Sequence, residues 1–288
     1  MIIKPRDISI LKVCVEQKFM TLEQISKMFF PSSENVLQVP MKRVRILVNA
    51  GFLKSVKLRV NEKRLYVATS EAVSLLRSRR LSGGLGPIKE LNDKTWEHDE
   101  KVTDIRIIFE KLFGFPNWTS ERILEQKNVG KKVPDGIAWD KQDQFIIEVE
   151  RHLKNKRYYE RVFFQMFQEY QKNTVLYILE NESDLKWLMA QAKDWDMIYF
   201  STLKDFEEID YGISFKNAAG KEIYWERMGR GGALFPEIRH IEMETEEEDD
   251  DDGFDEMRAD DEKFRRWREE DEKALREKQG NQKRLDSV

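Results

Sequence analysis

Residues 133–150, VPDGIAWDKQDQFIIEVE, restrict the fold more than any other part of this chain. Two short apolar runs, VPDGIAW and QFIIEVE, flank Asp140-Lys141-Gln142-Asp143, a connection suited to antiparallel strands. Strand side chains alternate between faces, so Phe145, Ile147 and Val149 point one way and Glu148 and Glu150 the other. If Asp140 pairs with Asp143, the register sets Asp135 opposite Glu148 and gathers three carboxylates on one face of a ribbon. A slip of one residue would turn those acids away from each other. Like charges so placed repel unless something offsets them. A divalent cation would do so, and oxygen ligands in this number suit Mg²⁺ or Mn²⁺, which activate water and stabilise a phosphoryl transition state. The alternative is that Glu148 and Glu150 line the solvent face of an edge strand. Pro134-Asp135 ahead of the pair and Arg151, Lys154, Lys156 and Arg157 behind it favour the cation site.

The elements around the hairpin follow from periodicity. A helix over 96–113 buries Val102, Ile105, Ile108, Phe109 and Leu112, and a strand follows near 117–124. Behind the hairpin, a helix over 153–171 carries Val162, Phe163, Met166, Phe167 and Tyr170 on one stripe. Strand TVLYILE, a helix capped near Ser183, strand MIYFST and a hairpin turning at 217–220 complete the region. The order α-β-β-β-α-β, with further elements behind it, defines an α/β (α+β) class.

The first 80 residues read as helices followed by a hairpin. Ile8, Leu11, Val15 and Phe19 recur at helical spacing, and Thr21 caps a second helix over 22–29 that ends before Pro31. A third helix lies within 35–50, with Val36, Val39, Val44, Ile46 and Leu47 as its apolar stripe and Lys42, Arg43 and Arg45 outward. Pro40 suits its first turn and Gly51 closes it. Strands FLKSVKLRV and KRLYVAT turn at Asn61-Glu62. This order is that of a winged helix-turn-helix: the third helix can enter a major groove, while Lys57, Arg59, Lys63 and Arg64 of the wing sit near phosphates. A solvated basic face or a protein-docking domain are the alternatives.

Charge is segregated along the chain. The formal net charge is only −4, yet residues 1–90 hold 17 Lys/Arg against 7 Asp/Glu, and residues 237–288 hold 11 against 21. A basic head can approach double-stranded DNA; an acidic tail cannot. Residues 78–92, SRRLSGGLGPIKELN, read as a linker. The organisation expected is a DNA-binding head at 1–80, a linker at 81–94, a second domain at 95–236 and an acidic, largely disordered tail at 237–288 with a charged helix. That tail can solubilise, dock other proteins through Phe264 and Trp267, or compete with DNA for the head. The single cysteine, Cys14, excludes a disulfide framework. With no signal peptide and no apolar run near the ~18 residues of a membrane span, a soluble, cytoplasmic protein without a membrane partner is expected.

Two resemblances add to this reading. Asp135 in Pro-Asp-Gly, followed by Glu148-Val149-Glu150, resembles the PD-(D/E)xK motif of the restriction-endonuclease-like fold, with Glu150 in place of the usual lysine. More of the chain is similar to the replication-relaxation family of plasmids and integrative elements, related to MobC-type relaxases. That likeness covers roughly residues 5–180. His98-Asp99, Val102 and Asp104-Ile105-Arg106 match the family's first motif. The resemblance implies DNA binding at an origin of transfer or replication and metal-dependent nicking. Asp135, Glu148 and Glu150 would hold Mg²⁺ or Mn²⁺, His98 and Asp99 would lie beside it, His98 as ligand or general base, and Lys154 would contact the scissile phosphate. Tyr158 and Tyr159 are the candidate nucleophiles, with helix packing as their alternative. A non-catalytic DNA-binding regulator, or an adaptor of a transfer or replication complex, is the competing implication.

Overall fold

The computed structural model describes residues 2–31, 37–58, 63–128, 132–170, 173–227 and the backbone of 239–241. Arg59, the turn at 61–62 and all of 242–288, including the acidic run, Phe264 and Trp267, lie outside the described residues. Met1–Met243 form one compact unit. Among the described residues no helix is long and apolar enough to cross a membrane.

The chain begins with α1 (Pro5–Glu16), β1 (Met20–Thr21), α2 (Leu22–Phe29), α3 (Gln38–Asn49), β2 (Leu53–Val56), β3 (Leu65–Ala68) and α4 (Ser70–Ser78). Pro5 occupies the first turn of α1, where its missing N–H costs nothing. A capping box fixes α2: Gln24 N–H donates to Thr21 Oγ1 at 3.2 Å, and Thr21 N–H to Gln24 Oε1 at 2.9 Å. Gly51, at φ +78°, ends α3 in the left-handed region. The three strands pair in the order β1-β3-β2. Helix α4 lies between the end of the expected hairpin at Thr69 and the start of the expected linker at Ser78, a stretch to which the sequence pattern assigns no element; Thr69 Oγ1 caps it by accepting from Ala72 N–H. Two stripes differ from their sequence reading. On α3 the buried positions are Pro40, Val44 and Leu47, at i, i+4 and i+7, leaving Val39 and Ile46 exposed. Phe19 lies beyond α1 and packs with Leu65, Val67 and Trp96.

The remainder comprises α5 (Trp96–Lys111), β4 (Asn117–Ser120), α6 (Glu121–Lys127), β5 (Gly136–Trp139), β6 (Gln144–Glu150), α7 (Lys156–Tyr170), β7 (Thr174–Leu179), α8 (Glu182–Gln191), β8 (Ile198–Thr202), α9 (Leu203–Glu207), β9 (Gly212–Asn217), β10 (Glu222–Glu226) and β11 (Arg239–Ile241). The run expected as one strand over 117–124 is a strand up to Ser120 and a helix beyond it, because Glu121-Arg122-Ile123-Leu124 has helical rather than alternating spacing. The strands form one mixed sheet: β4 through β10 in sequential order, with β11 beyond β10. Among the described residues, β6-β7 and β7-β8 are the pairs that run parallel. One face packs on α5 and α9 through Val102, Phe109, Phe145, Ile147 and Trp225; the other packs on α7 and α8 through Ile146, Phe163, Tyr177 and Leu188. Strand β6 is therefore interior, with a paired strand on each side and a layer on each face. The stripe expected on α7 is shorter than drawn, since Phe167 is exposed.

Helix α5 is sandwiched between sheet and head. Val102, Ile105 and Phe109 enter the sheet core, while Ile107 joins the core of the head with Ile8, Leu11 and Met28. Ile108 and Leu112, read as core, are half-buried.

Candidate functional site

The hairpin register is the one drawn from the sequence. Asp140 N–H donates to Asp143 O at 3.0 Å, and Gly136 pairs with Ile147, which sets Asp135, just before β5, across from Glu148. Gly136 is required by close approach: a Cβ there would stand 2.0 Å from the Trp118 ring. Glu148 and Glu150 are buried on an interior strand, with side-chain exposures of 3% and 9%, so the reading of a solvated edge does not apply.

Each of the three acids has its own cation. Asp135 Oδ2 accepts from Val149 N–H at 2.7 Å and lies 3.3 Å from His98 Nε2. Both carboxylate oxygens of Glu148 lie 2.9 Å from Lys132 Nζ. Those of Glu150 lie 3.0 and 3.2 Å from Lys154 Nζ, which also sits 4.5 Å above the Tyr158 ring. Burial opposes ionisation of Asp135, but the hydrogen bond and charge of His98, aided by Lys132, hold its carboxyl below the usual range. Burial lifts the Glu148 and Glu150 carboxyls despite their lysines. Tyr159 is fully buried, and its Oη accepts from Lys154 N–H at 3.3 Å, which is the packing role rather than that of an exposed nucleophile.

His98, at the start of α5, donates from Nε2 to Val149 O at 3.0 Å, and its Nδ1 lies 3.8 Å from Asp99 Oδ1. Burial disfavours the charged ring, yet the hydrogen bonds and charges of Asp135 and Asp99 prevail and push it up to about 10. At neutral pH it is an imidazolium, a donor and a cation. A ring in that state carries an N–H donor on both nitrogens and a positive charge between Asp135 and Asp99.

Lysine 18 of the head completes the constellation. Its Nζ lies 2.6 Å from Asp99 and 3.2 Å from Glu121, and its backbone holds φ +73°. A small cavity opens between Lys18, His98, Asp99, Glu121 and Asp135. The rest of the α5 motif faces the head in the same way. Asp104 accepts from Gln24 Nε2 at 2.9 Å, and the same amide donates to Glu100 O at 2.9 Å. Arg106, 3% exposed, pairs with Glu16 at 2.9 Å and Glu110 at 2.7 Å. Arg122 donates to Val15 O and Gly86 O. His98-Asp99 and Asp104-Ile105-Arg106 are thus residues of the join between head and sheet. Lys132 and Lys18 escaped the sequence reading; Lys132 stands three residues before Asp135, a spacing that could have flagged it.

The basic residues of the head divide into two groups. Arg43, expected to face outward, donates from Nε to Asp7 Oδ1 at 2.6 Å and from Nη2 to Asp7 Oδ2, a carboxylate 1% exposed. A buried acid explains the correction, since it needs a cation more than the surface does. Lys63 reaches Glu100 on α5 at 3.0 Å. Lys57 and Arg64 are exposed. Lys42 and Arg45 are exposed on α3 and have no ion-pair partner among the described residues, beside exposed Val39, Met41 and Ile46.

The residues do not fit a resident divalent cation. Among the described residues no group of three or more His, Cys, Asp or Glu side chains is disposed to hold a metal ion, and the hairpin acids are turned to separate protein cations. No protein-family model, no curated protein and no solved structure matches this chain.

Proposed function

We propose that this protein binds double-stranded DNA through a winged helix-turn-helix formed by α1 to β3, with α3 as the groove-entering helix and the β2-β3 hairpin as the wing. The observation that carries the reading is the division of charge on α3. Arg43 is withdrawn into a buried pair, while Lys42 and Arg45 stay exposed and unpaired among the described residues, beside apolar side chains of the kind that contact thymine methyls. The larger sheet is proposed as a restriction-endonuclease-like domain acting as the platform on which the head is fixed. With the motif likeness of α5, this supports a role in replication or conjugative mobilisation of a mobile element, at an origin of transfer or replication. Docking of other transfer or replication proteins is assigned to the acidic tail on its charge alone.

Between a nickase and a non-catalytic DNA-binding regulator, the second is the better supported, because each acid of the hairpin is already neutralised within the protein. An electrophoretic mobility shift with duplex DNA tests the reading. The full-length chain retards DNA equally with Mg²⁺ or with a chelator, and the Lys42→Ala/Arg45→Ala variant retards it weakly. Equal retardation by the variant would overturn α3 as the contact surface.

A further inference from the structure

Helix α4, whose Ala72, Val73 and Leu76 belong to the core of the head, ends in a cluster of positive charge. Arg77, Arg79 and Arg80 are exposed, and none has an ion-pair or side-chain hydrogen-bond partner among the described residues. Between Ala72 and Lys89 the chain contains no Asp or Glu, so no neighbour in sequence offsets them. The helix closes in a Schellman motif: Leu81 N–H donates to Leu76 O at 2.8 Å and Arg80 N–H to Arg77 O at 3.0 Å, with Arg80 at φ +59°. Glycine holds that conformation without steric cost; arginine does not. Among the described residues, Lys18 and Arg80 are the non-glycine residues at positive φ. The Lys18 ammonium is seated against Asp99 and Glu121, whereas the Arg80 guanidinium meets no acid. Just past the cluster the chain is pinned to α6, where Arg122 Nη2 donates to Gly86 O at 3.0 Å. The three arginines therefore stand on a backbone held from both sides.

A cation in the last turn of a helix complements its dipole, which accounts for Arg77. It does not account for an arginine placed where glycine is favoured and left without a partner inside the protein. A guanidinium presents a planar fork of donors that matches two phosphate oxygens at once. Forks grouped between 77 and 80 suit a row of phosphates better than a single acid. We infer that Arg77, Arg79 and Arg80 form a second phosphate-binding patch of the head, which holds the backbone of double-stranded DNA apart from the groove contact of α3. The inference rests on the reading of the head as a DNA-binding domain and extends it. Contacts to phosphate carry no sequence information, so the patch supplies affinity and orientation while α3 supplies the base contacts.

The test measures affinity for labelled duplexes across a range of salt on four full-length proteins: wild type, Arg77→Gln/Arg79→Gln/Arg80→Gln, Arg80→Gly and Lys42→Ala/Arg45→Ala. The triple variant lowers the slope of log K against log salt by about two to three, and weakens binding to duplexes of different sequence by the same factor. Arg80→Gly lowers the slope by about one and yet resists urea better than wild type, because the backbone is relieved. A residue with a purely structural role does not do both. A triple-variant slope equal to that of wild type overturns the inference. So does tighter DNA binding by the triple variant, the result expected if the patch instead seats the acidic run at 242–252. Should the triple variant not fold, the slope of Arg80→Gly decides in its place. Wild type that binds no DNA overturns the inference together with the reading it rests on. An unchanged slope in Lys42→Ala/Arg45→Ala beside a lowered one in the triple variant removes α3 from that reading and supports the patch.

Discussion

His98 and Asp135 together complete the hydrogen bonding of one backbone unit in the interior strand β6. Strand β5 begins at Gly136, so the edge of Val149 has no backbone partner on that side. Asp135 Oδ2 accepts the Val149 N–H at 2.7 Å, and His98 Nε2 donates to the Val149 carbonyl at 3.0 Å. Two side chains continue the ladder where a strand stops, and the same geometry brings imidazolium and carboxylate to 3.3 Å. A carbonyl can only accept, which fixes the proton on Nε2. Structure and charge are therefore supplied by one pair of residues.

This pair gives stability a defined pH dependence. Above its ordinary value of 6.5, an unfolded chain has released the His98 proton, whereas the folded chain keeps it until about 10. Folding takes up a proton in that window, so the contribution of His98 is complete below about 6.5 and is lost as pH rises through about 10. His98→Gln should lose about 1–3 kcal/mol at neutral pH and show a shallower decline towards alkaline pH. Urea denaturation across the window measures both. Parallel profiles for the two proteins would remove the imidazolium from the account.

Lys18 is held by two acids in a backbone conformation that favours glycine. Burial opposes its charge, and Asp99 and Glu121 more than offset this. Lys18→Ala should cost about 2–3 kcal/mol, because it strands two carboxylates and keeps the strained φ. Lys18→Gly strands the same acids but relieves the backbone, recovering about 1 kcal/mol. Chemical denaturation orders the three proteins wild type, Gly, Ala; Gly no better than Ala would show that the φ carries no strain.

The Pro-Asp-Gly turn has a steric requirement that is separate from its charge. In Gly136→Ala the new methyl meets the Trp118 ring, and a loss of about 1–3 kcal/mol is expected. Trimming the ring should offset part of that loss, so Gly136→Ala/Trp118→Leu should be more stable than the sum of the single losses implies. Strict additivity in thermal unfolding would locate the requirement elsewhere.

Much of the sheet was legible because short-range patterns determine it. The alternation in QFIIEVE sets β6 to the residue, and Asp140 with Asp143 sets the register. Thr21 and Gln24 mark the start of α2 for the same local reason. Contacts between distant segments were not legible. Glu16 pairs with Arg106 and Lys18 with Asp99 across some eighty to ninety residues, and no periodicity in either segment announces the other. The same absence of local signal hid Arg43, whose partner Asp7 lies on another helix. Helix α5 misled at Ile107 and Ile108, because a helix buried on two faces has no single apolar stripe.

The central claim is that α3 meets DNA through Lys42 and Arg45, and the salt dependence of affinity tests it most directly. Fluorescence anisotropy with a labelled duplex, repeated across a range of salt, yields the slope of log K against log salt, which counts phosphate contacts. The account predicts a steep slope for wild type and a slope lower by about two for Lys42→Ala/Arg45→Ala, while Arg43→Ala loses stability and keeps the wild-type slope. No measurable binding, or an unchanged slope in the double variant, would contradict it.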